Sequence, residues 1–128
     1  MNILGVDYGK KRIGLAWCDT AVGVVLPFGV VETSDFGLQT SALVALIQKE
    51  RIEKVVVGLP LGLDGKENEN TKTVQTFVDM LKSEVRVPIA MVDERFTSAQ
   101  ADRMTGGDAS RDEKAAMVIV QTYIESRK

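Results

Sequence analysis

Acidic residues follow two apolar segments that have the pattern of buried strands. Asp7 closes the segment NILGVD, and the pair Asp93 and Glu94 follows the segment IAMV. Ligands of open α/β sheets bind beyond the carboxyl ends of the parallel strands. We therefore expect carboxylates from both segments to meet at one edge of a sheet, where they could bind a divalent cation. Alternation along a strand points Asp93 and Glu94 to opposite faces, so only one of them is expected to reach the site.

Asp112, at the start of the last predicted helix, is a third candidate. Acidic residues are common in the first turn of a helix because they meet the positive end of its dipole, so position alone assigns Asp112 no function. Three carboxylates around one small volume would repel each other unless cations neutralised them. Two divalent ions could do so, activate a water, and stabilise the attacking and leaving oxygens of phosphodiester hydrolysis.

The composition removes several other kinds of chemistry. The 128 residues include no histidine and one cysteine. This excludes Ser-His-Asp triads, imidazole metal ligands, zinc knuckles and an internal disulfide. Hard carboxylate oxygens suit Mg²⁺ or Mn²⁺, so these are the expected cofactors. Cys18 lies in an apolar stretch and is expected in the core.

The densest basic run lies three residues past Asp7 and consists of Lys10, Lys11 and Arg12. A solvated turn and a phosphate-binding cluster explain it equally well. The formal net charge of -2 means that a grip on nucleic acid must come from such a local cluster and not from bulk charge. Other basic side chains that could extend the cluster are Lys66, Arg95, Arg103 and Arg111.

The apolar periodicity predicts elements in the order βββαβαβα. Strands are predicted at 2–7, 13–18, 24–31, 54–57 and 89–92, and helices at about 36–51, around 74–81 and at about 112–126. Ser34 is the expected N-cap of the first helix, Pro27 places the third strand near an edge, and Thr97 or Ser98 could cap a short extra helix. Each helical crossover makes the next strand parallel to the last, so the first, fourth and fifth strands are expected to be parallel, and right-handedness leaves few arrangements.

These elements predict a single three-layer α/β domain over residues 1–128, with a mixed five-stranded sheet and helices on both faces. The N-terminus, MNILGVDYGKKR, lacks the apolar stretch of a signal peptide, and no other run approaches membrane-spanning length. A cytoplasmic location is expected, without a membrane partner.

Four motifs in order resemble the YqgF (RuvX) family, a bacterial group described both as Holliday junction resolvases and as nucleases of the 16S ribosomal RNA precursor. They are GVDYGKKRIGLAWCD, VVVGLPLGLDG, VDERFTSAQAD and DEKAAMVIVQTYIES, and they run nearly from end to end. The resemblance implies an RNase H-like fold and an acidic site at Asp7, Glu94 and Asp112, which favours Glu94 over Asp93. Further matches to the motifs are Gly9, Lys11, Arg12, Gly14, Arg95 and Thr97.

The chain departs from the family in two places. Ser98 stands where the family often has a threonine, and the segment RMTGGDASR before Asp112 is short and poor in lysine. The second departure bears on substrate grip and on the placement of Asp112.

We expect a metal-dependent endonuclease on structured nucleic acid, and maturation of the ribosomal RNA precursor is the favoured role. Two Mg²⁺ or Mn²⁺ ions are expected on Asp7, Glu94 and Asp112. The residues expected to contact substrate are Lys10, Lys11, Arg12, Arg95 and Thr97.

Three alternatives stay open. The first is a Holliday junction resolvase, which would need a homodimer to cut symmetrically, whereas RNA trimming could use a monomer. The second is a binding module of the same fold with a weak site. The third is an actin-like ATP-binding fragment, suggested by DYGKKRIG, although 128 residues lack the second lobe that would enclose a nucleotide.

Overall fold

The structure is a computed structural model that describes residues 1–60, 68–93 and 109–126. Within these ranges the chain forms five strands and three helices in the predicted order βββαβαβα. The strands are β1 (Asn2–Asp7), β2 (Arg12–Asp19), β3 (Val25–Glu32), β4 (Lys54–Leu59) and β5 (Ile89–Asp93). The helices are α1 (Phe36–Lys49), α2 (Glu69–Glu84) and α3 (Arg111–Ser126).

The five strands form one mixed sheet in the order β3-β2-β1-β4-β5. β1 pairs antiparallel with β2 and parallel with β4, and β4 pairs parallel with β5. The predicted parallel relation of the first, fourth and fifth strands is therefore confirmed. β3 lies at an edge of the sheet, as Pro27 predicted, and Pro27 lies beside the irregularity in the β2–β3 pairing.

Each face of the sheet has its own apolar core. On one face, Leu4, Val6, Val55 and Val57 pack against α1 and α2, and Phe77 of α2 is fully buried there. On the other face, the core consists of Ile3, Ala16, Cys18, Val56 and side chains of α3. Helices on both faces, and a buried Cys18, were predicted from the sequence and are confirmed.

The start of α1 differs from the prediction. Asp35, not Ser34, is the N-cap, because the helix begins at Phe36 and the Asp35 carboxylate accepts a 2.9 Å hydrogen bond from the Leu38 amide. The helix also ends earlier than predicted, at Lys49, and Arg51 then adopts a positive φ of 53°.

Two other predictions concern the end of β4 and a short helix after β5. β4 runs to Leu59, two residues past the predicted end, because Leu59 still pairs with Asp93 of β5. The short helix that Thr97 or Ser98 could cap falls outside the described residues. None of the helices in the described ranges is long and apolar enough to cross a bilayer.

Candidate active site

The carboxyl ends of the three parallel strands lie at one edge of the sheet, as the sequence predicted. β1 ends at Asp7, β4 at Leu59 and β5 at Asp93, and Leu59 pairs directly with Asp93. Asp7 shares the strand parity of Ile3, whose side chain is in the α3 core, so the two residues lie on the same face. Asp7 therefore lies at the sheet edge where ligands of such folds bind, on the face that α3 covers.

Asp112 is brought to Asp7 by a close approach of α3 to β2. Gly14 is the cross-strand partner of Asp7, so both residues lie on the same face of the sheet. A Cβ atom at Gly14 would lie 2.9 Å from the Cβ of Asp112 and would clash with the Asp112 carbonyl. Only a glycine leaves this space, so the first turn of α3 lies directly beside the end of β1.

A second glycine continues this contact along the helix. A Cβ at Gly5 would lie 2.9 Å from the carbonyl oxygen of Ala116 and would clash with the side chain of Val120. Gly5 of β1 and Gly14 of β2 are two residue pairs apart in the β1–β2 ladder, so they lie on the same face of the sheet. Together they let the α3 backbone approach the sheet closely over its first turns, which fixes where Asp112 lies.

Glu113, the neighbour of Asp112, anchors the start of α3 in two directions. Its Oε1 accepts a 3.1 Å hydrogen bond from the amide of Ser110, while the Ser110 hydroxyl accepts one from the Glu113 amide at 3.2 Å. This is a capping box. Its Oε2 accepts a 2.8 Å hydrogen bond from the amide of Gly29 on the edge strand β3. The bond from the Ser110 amide is the main cause of a lowered Glu113 pKa, and the Gly29 bond adds to it, although burial opposes both.

The function of Glu113 was not predicted. The sequence carried a readable signal in Ser110-x-x-Glu113, which has the pattern of a capping box. The bond to Gly29 had no such signal, because the two residues are 84 positions apart. Gly29 has a φ of 105°, beside the irregularity in the β2–β3 pairing, and this turns its amide toward α3.

A cationic side chain accompanies the acidic residues. Nε of Arg12 lies 3.8 Å from Oδ2 of Asp112. The Arg12 side chain is exposed and that of Asp112 is partly exposed, so solvent screens the pair and it stabilises the fold little. Its significance is chemical, because it puts positive charge next to a carboxylate at the mouth of the candidate site. The carboxylate oxygens of Asp7 and Asp112 are the kind of ligand that Mg²⁺ and Mn²⁺ prefer.

The members of the DER motif are only partly described. Asp93 is exposed and shares the parity of Ile89, which packs into the α1–α2 core, so it lies on the face opposite Asp7. Val92 packs against the α3 core. Three predicted site residues, Glu94, Arg95 and Thr97, fall outside the described residues, as do Lys66 and Arg103.

Residues 1–60, 68–93 and 109–126 contain no group of three or more Cys, Asp or Glu side chains placed to hold a metal ion. Asp7 and Asp112 are the two members of the predicted acidic set that lie within these ranges. The expected three-carboxylate site thus remains a prediction.

The basic turn between β1 and β2 is exposed and firmly attached. Lys10 and Lys11 lie at the surface, while Tyr8 stacks on Phe77 with ring centroids 4.3 Å apart. The Tyr8 hydroxyl donates a 3.0 Å hydrogen bond to Gln39 of α1, and burial raises the Tyr8 pKa, which keeps the phenol a donor. Gln39 was not singled out by the sequence, where a single glutamine in an amphipathic helix carries no signal.

A groove of about 350 Å³ opens beside this turn, on the side away from α3. Tyr8, Gly9 and Lys10 form one wall. Pro60 and the first turns of α2, with Asn70 and Thr73, form the other. The amine of Lys10 and the polar side chains of Asn70 and Thr73 could contact a polyanionic ligand in this groove.

Comparison with known proteins agrees with this architecture. The chain is 35% identical over 134 residues to a protein of Dictyoglomus turgidum named "Putative pre-16S rRNA nuclease", covering 98% of this chain and 95% of the relative. Among solved structures, RuvC of Thermus thermophilus in complex with a Holliday junction substrate matches with a TM-score of 0.69 and 16% identity, covering 99% and 95% of the two chains. The fowlpox virus resolvase in complex with Holliday junction DNA matches with a TM-score of 0.64 and 12% identity, covering 99% of both.

The two structural matches have low identity and bear on the fold alone, and they confirm the predicted RNase H-like architecture. A family model described as "RuvX: Holliday junction resolvase" matches residues 1–126. The match covers nearly the whole chain, in agreement with the four motifs. The chain therefore belongs to the RuvX family.

Proposed function

We propose that this protein is a metal-dependent endonuclease that hydrolyses phosphodiester bonds in structured nucleic acid, with the precursor of 16S ribosomal RNA as its substrate. The observation that carries the proposal is the approach of α3 to β2 at Gly14, which sets Asp112 beside Asp7 at the carboxyl edge of the parallel strands. Curated relatives named for pre-16S rRNA cleavage, matched over nearly their full length, support the substrate.

In this proposal Asp7, Glu94 and Asp112 hold two Mg²⁺ or Mn²⁺ ions. When bound, such ions supply a nucleophilic water and stabilise charge on the reacting phosphate. The carboxylates of Asp7 and Asp112 bring negative charge to one small region and so create its affinity for cations. Glu94 is preferred over Asp93 because it matches the acidic position of the family motif, and because Asp93 lies on the face of the sheet opposite Asp7.

The basic side chains of the β1–β2 turn orient the substrate. Lys10, Lys11 and Arg12 are exposed next to the acidic edge, and Arg12 lies close enough to Asp112 to contact a phosphate bound there. Arg95 and Thr97 complete the substrate contacts by their match to the family motif. With a formal net charge of -2, the protein relies on this cluster for its attraction to nucleic acid.

A four-way DNA junction is the second candidate substrate. It is favoured by the description of the RuvX family model and by the solved RuvC and fowlpox complexes, each of which holds a Holliday junction. Symmetric cleavage of a junction would require a homodimer, whereas RNA cleavage could be done by a monomer. Either substrate is found in the cytoplasm, which we propose as the site of action.

The test is cleavage of both substrates by the purified protein. Precursor ribosomal RNA and a four-way DNA junction are each incubated with Mn²⁺ or with a chelator, beside an Asp7→Asn variant whose fold is verified by circular dichroism. We expect Mn²⁺-dependent cleavage of the RNA, which Asp7→Asn abolishes. Asp19→Asn, which changes a carboxylate at the far end of β2, serves as the matched control and should retain activity.

Other outcomes discriminate the alternatives. Cleavage of the junction alone would reassign the substrate. Tight binding without cleavage of either substrate would favour a binding module. A metal-dependent activity that Asp7→Asn leaves intact would contradict the site assignment.

A further inference from the structure

We propose that Gln39 is a positioning residue that holds the basic β1–β2 turn in the conformation that binds phosphates. The inference rests on the proposed function, because it takes a nucleic-acid backbone as the ligand of the turn. Gln39 itself is 1% exposed and cannot touch the substrate. It would act through the main chain of Gly9 and Lys10.

The Gln39 side-chain amide joins two segments of backbone, the β1–β2 turn and the residue that follows β3. Its Nε2 donates to the carbonyl oxygens of Gly9 at 3.3 Å, Lys10 at 3.0 Å and Thr33 at 2.8 Å. Its Oε1 accepts the hydroxyl hydrogen of Tyr8 at 3.0 Å. Two hydrogens thus serve three acceptors, which means that one of the bonds is shared.

The amide matches what the turn needs. Two carbonyls in the turn and one at the end of β3 require donors, and the Tyr8 hydroxyl requires an acceptor. A glutamine side chain supplies both, whereas a carboxylate supplies acceptors only and an aliphatic side chain neither. These bonds are partly buried, so the turn would rearrange or admit water to its carbonyl groups if Gln39 were lost.

The anchor is itself rigid. Gln39 lies in the first turn of α1, which the Asp35 cap stabilises. The Tyr8 ring is held by stacking on Phe77, which is fully buried. The turn is tight as well, because a Cβ at Gly9 would lie 2.5 Å from the carbonyl oxygen of Arg12. Lys10, Lys11 and Arg12 therefore project from a backbone that is fixed before substrate arrives.

A fixed backbone matters for binding because ordering a flexible turn would reduce affinity. The same carbonyl bonds hold the wall of the groove formed by Gly9 and Lys10. Loss of Gln39 should therefore weaken substrate binding through the basic cluster and reduce the number of phosphates it neutralises. The acidic residues on the α3 face should be affected less.

The experiment measures binding of a labelled four-way DNA junction and a labelled precursor ribosomal RNA fragment by fluorescence anisotropy, over a series of salt concentrations. A chelator prevents cleavage. Gln39→Leu removes all four hydrogen bonds, and Tyr8→Phe removes only the one to Oε1. Gln48→Leu makes the same change at an exposed position of α1 and is the matched control.

We expect Gln39→Leu to weaken binding roughly tenfold and to make the slope of log affinity against log salt shallower by about one. Tyr8→Phe should have a smaller effect and Gln48→Leu none. In cleavage assays, KM should rise more than kcat falls. Simple destabilisation would lower the active fraction but would not change the salt slope of the folded molecules.

Two results would overturn the inference. If wild-type protein binds and Gln39→Leu has the same affinity and slope as Gln48→Leu, Gln39 does not position the turn, while the proposed function stands. If wild-type protein shows no salt-dependent binding to either probe, the proposed function fails and this inference fails with it.

A measurement on unmodified protein covers the case in which Gln39→Leu does not fold. The Gln39 side-chain amide hydrogens should exchange slowly with solvent in nuclear magnetic resonance spectra, whereas those of the exposed Gln48 should exchange fast. Equally fast exchange at both positions would overturn the inference without any variant.

Discussion

The main chain of Asp112 packs directly against Gly14, at a distance that leaves no room for a side chain on the glycine. Because Gly14 is paired with Asp7 on the neighbouring strand, this contact sets the relative position of two acidic residues that are 105 positions apart in sequence. It is thus both a packing feature and the basis of the proposed cation site.

Gly14→Ala should displace the first turn of α3 from the sheet. We expect a loss of about 1–3 kcal/mol in the free energy of unfolding, since the added methyl overpacks a closed contact. Cleavage per folded molecule should fall on the order of 100-fold, because Asp112 would shift relative to Asp7. Gly5→Ala is the comparison, since it overpacks the same helix further from the acidic edge. Denaturant unfolding and cleavage assays on both variants check the prediction, and equal losses of activity would contradict it.

Arg12→Gln should weaken nucleic-acid binding without destabilising the fold. The ion pair with Asp112 is exposed, so the free energy of unfolding should change by less than about 0.5 kcal/mol. The slope of log affinity against log salt should become shallower by about one if Arg12 contacts one phosphate. Arg86 is exposed and lies between α2 and β5, at the amino end of β5. Arg86→Gln is therefore the control and should alter neither quantity. An unchanged slope for Arg12→Gln would remove Arg12 from the substrate contacts.

Acid should destabilise the protein partly through Glu113. Hydrogen bonds from Ser110 and Gly29 lower its pKa in the folded state below the ordinary value of 4.5. The group therefore contributes stability that is present above its unfolded pKa and is lost as the pH falls through its folded pKa. Glu113→Gln should be less stable than wild type at neutral pH, and the difference should shrink as the pH falls below about 4.5. Urea unfolding in chelator from pH 7 to pH 3 measures this.

The matched control for that experiment is Glu125→Gln, at the exposed far end of α3. Its free energy of unfolding, plotted against pH, should run nearly parallel to that of wild type over the whole range. A Glu113→Gln curve that also runs parallel to wild type would mean that the bonds to Ser110 and Gly29 do not form in solution.

Cys18 should be inert to thiol reagents in the native protein. The side chain is fully buried, and burial raises the pKa of the thiol, with the charge of Asp19 adding to the effect. The reactive thiolate is therefore scarce and inaccessible. We expect no reaction with an aromatic disulfide reagent under native conditions and one equivalent in denaturant, where the rate follows the unfolded fraction. Rapid native reaction would contradict the packing of β2 against α3.

Much of the architecture could be predicted from sequence, because local patterns determine it. The pattern of apolar residues and the positions of glycine and proline predicted the order of elements. The helical crossovers predicted that β1, β4 and β5 are parallel, and right-handedness left few arrangements of them. Errors were confined to element ends. There, capping at Asp35 and pairing at Leu59 depend on atoms that a pattern does not resolve.

The site divides in the same way. The chemistry available to the protein follows from its composition, because a chain without histidine leaves carboxylates to bind cations, and the apolar pattern predicts that Asp7 ends a strand. The folded chain was needed to find the close approach of Asp112 to Gly14, the bond from Gly29 to Glu113, and the bonds from Gln39 to Gly9 and Lys10. These contacts join residues far apart in the chain, and hydrogen bonds and close packing between such residues leave no periodic trace in sequence.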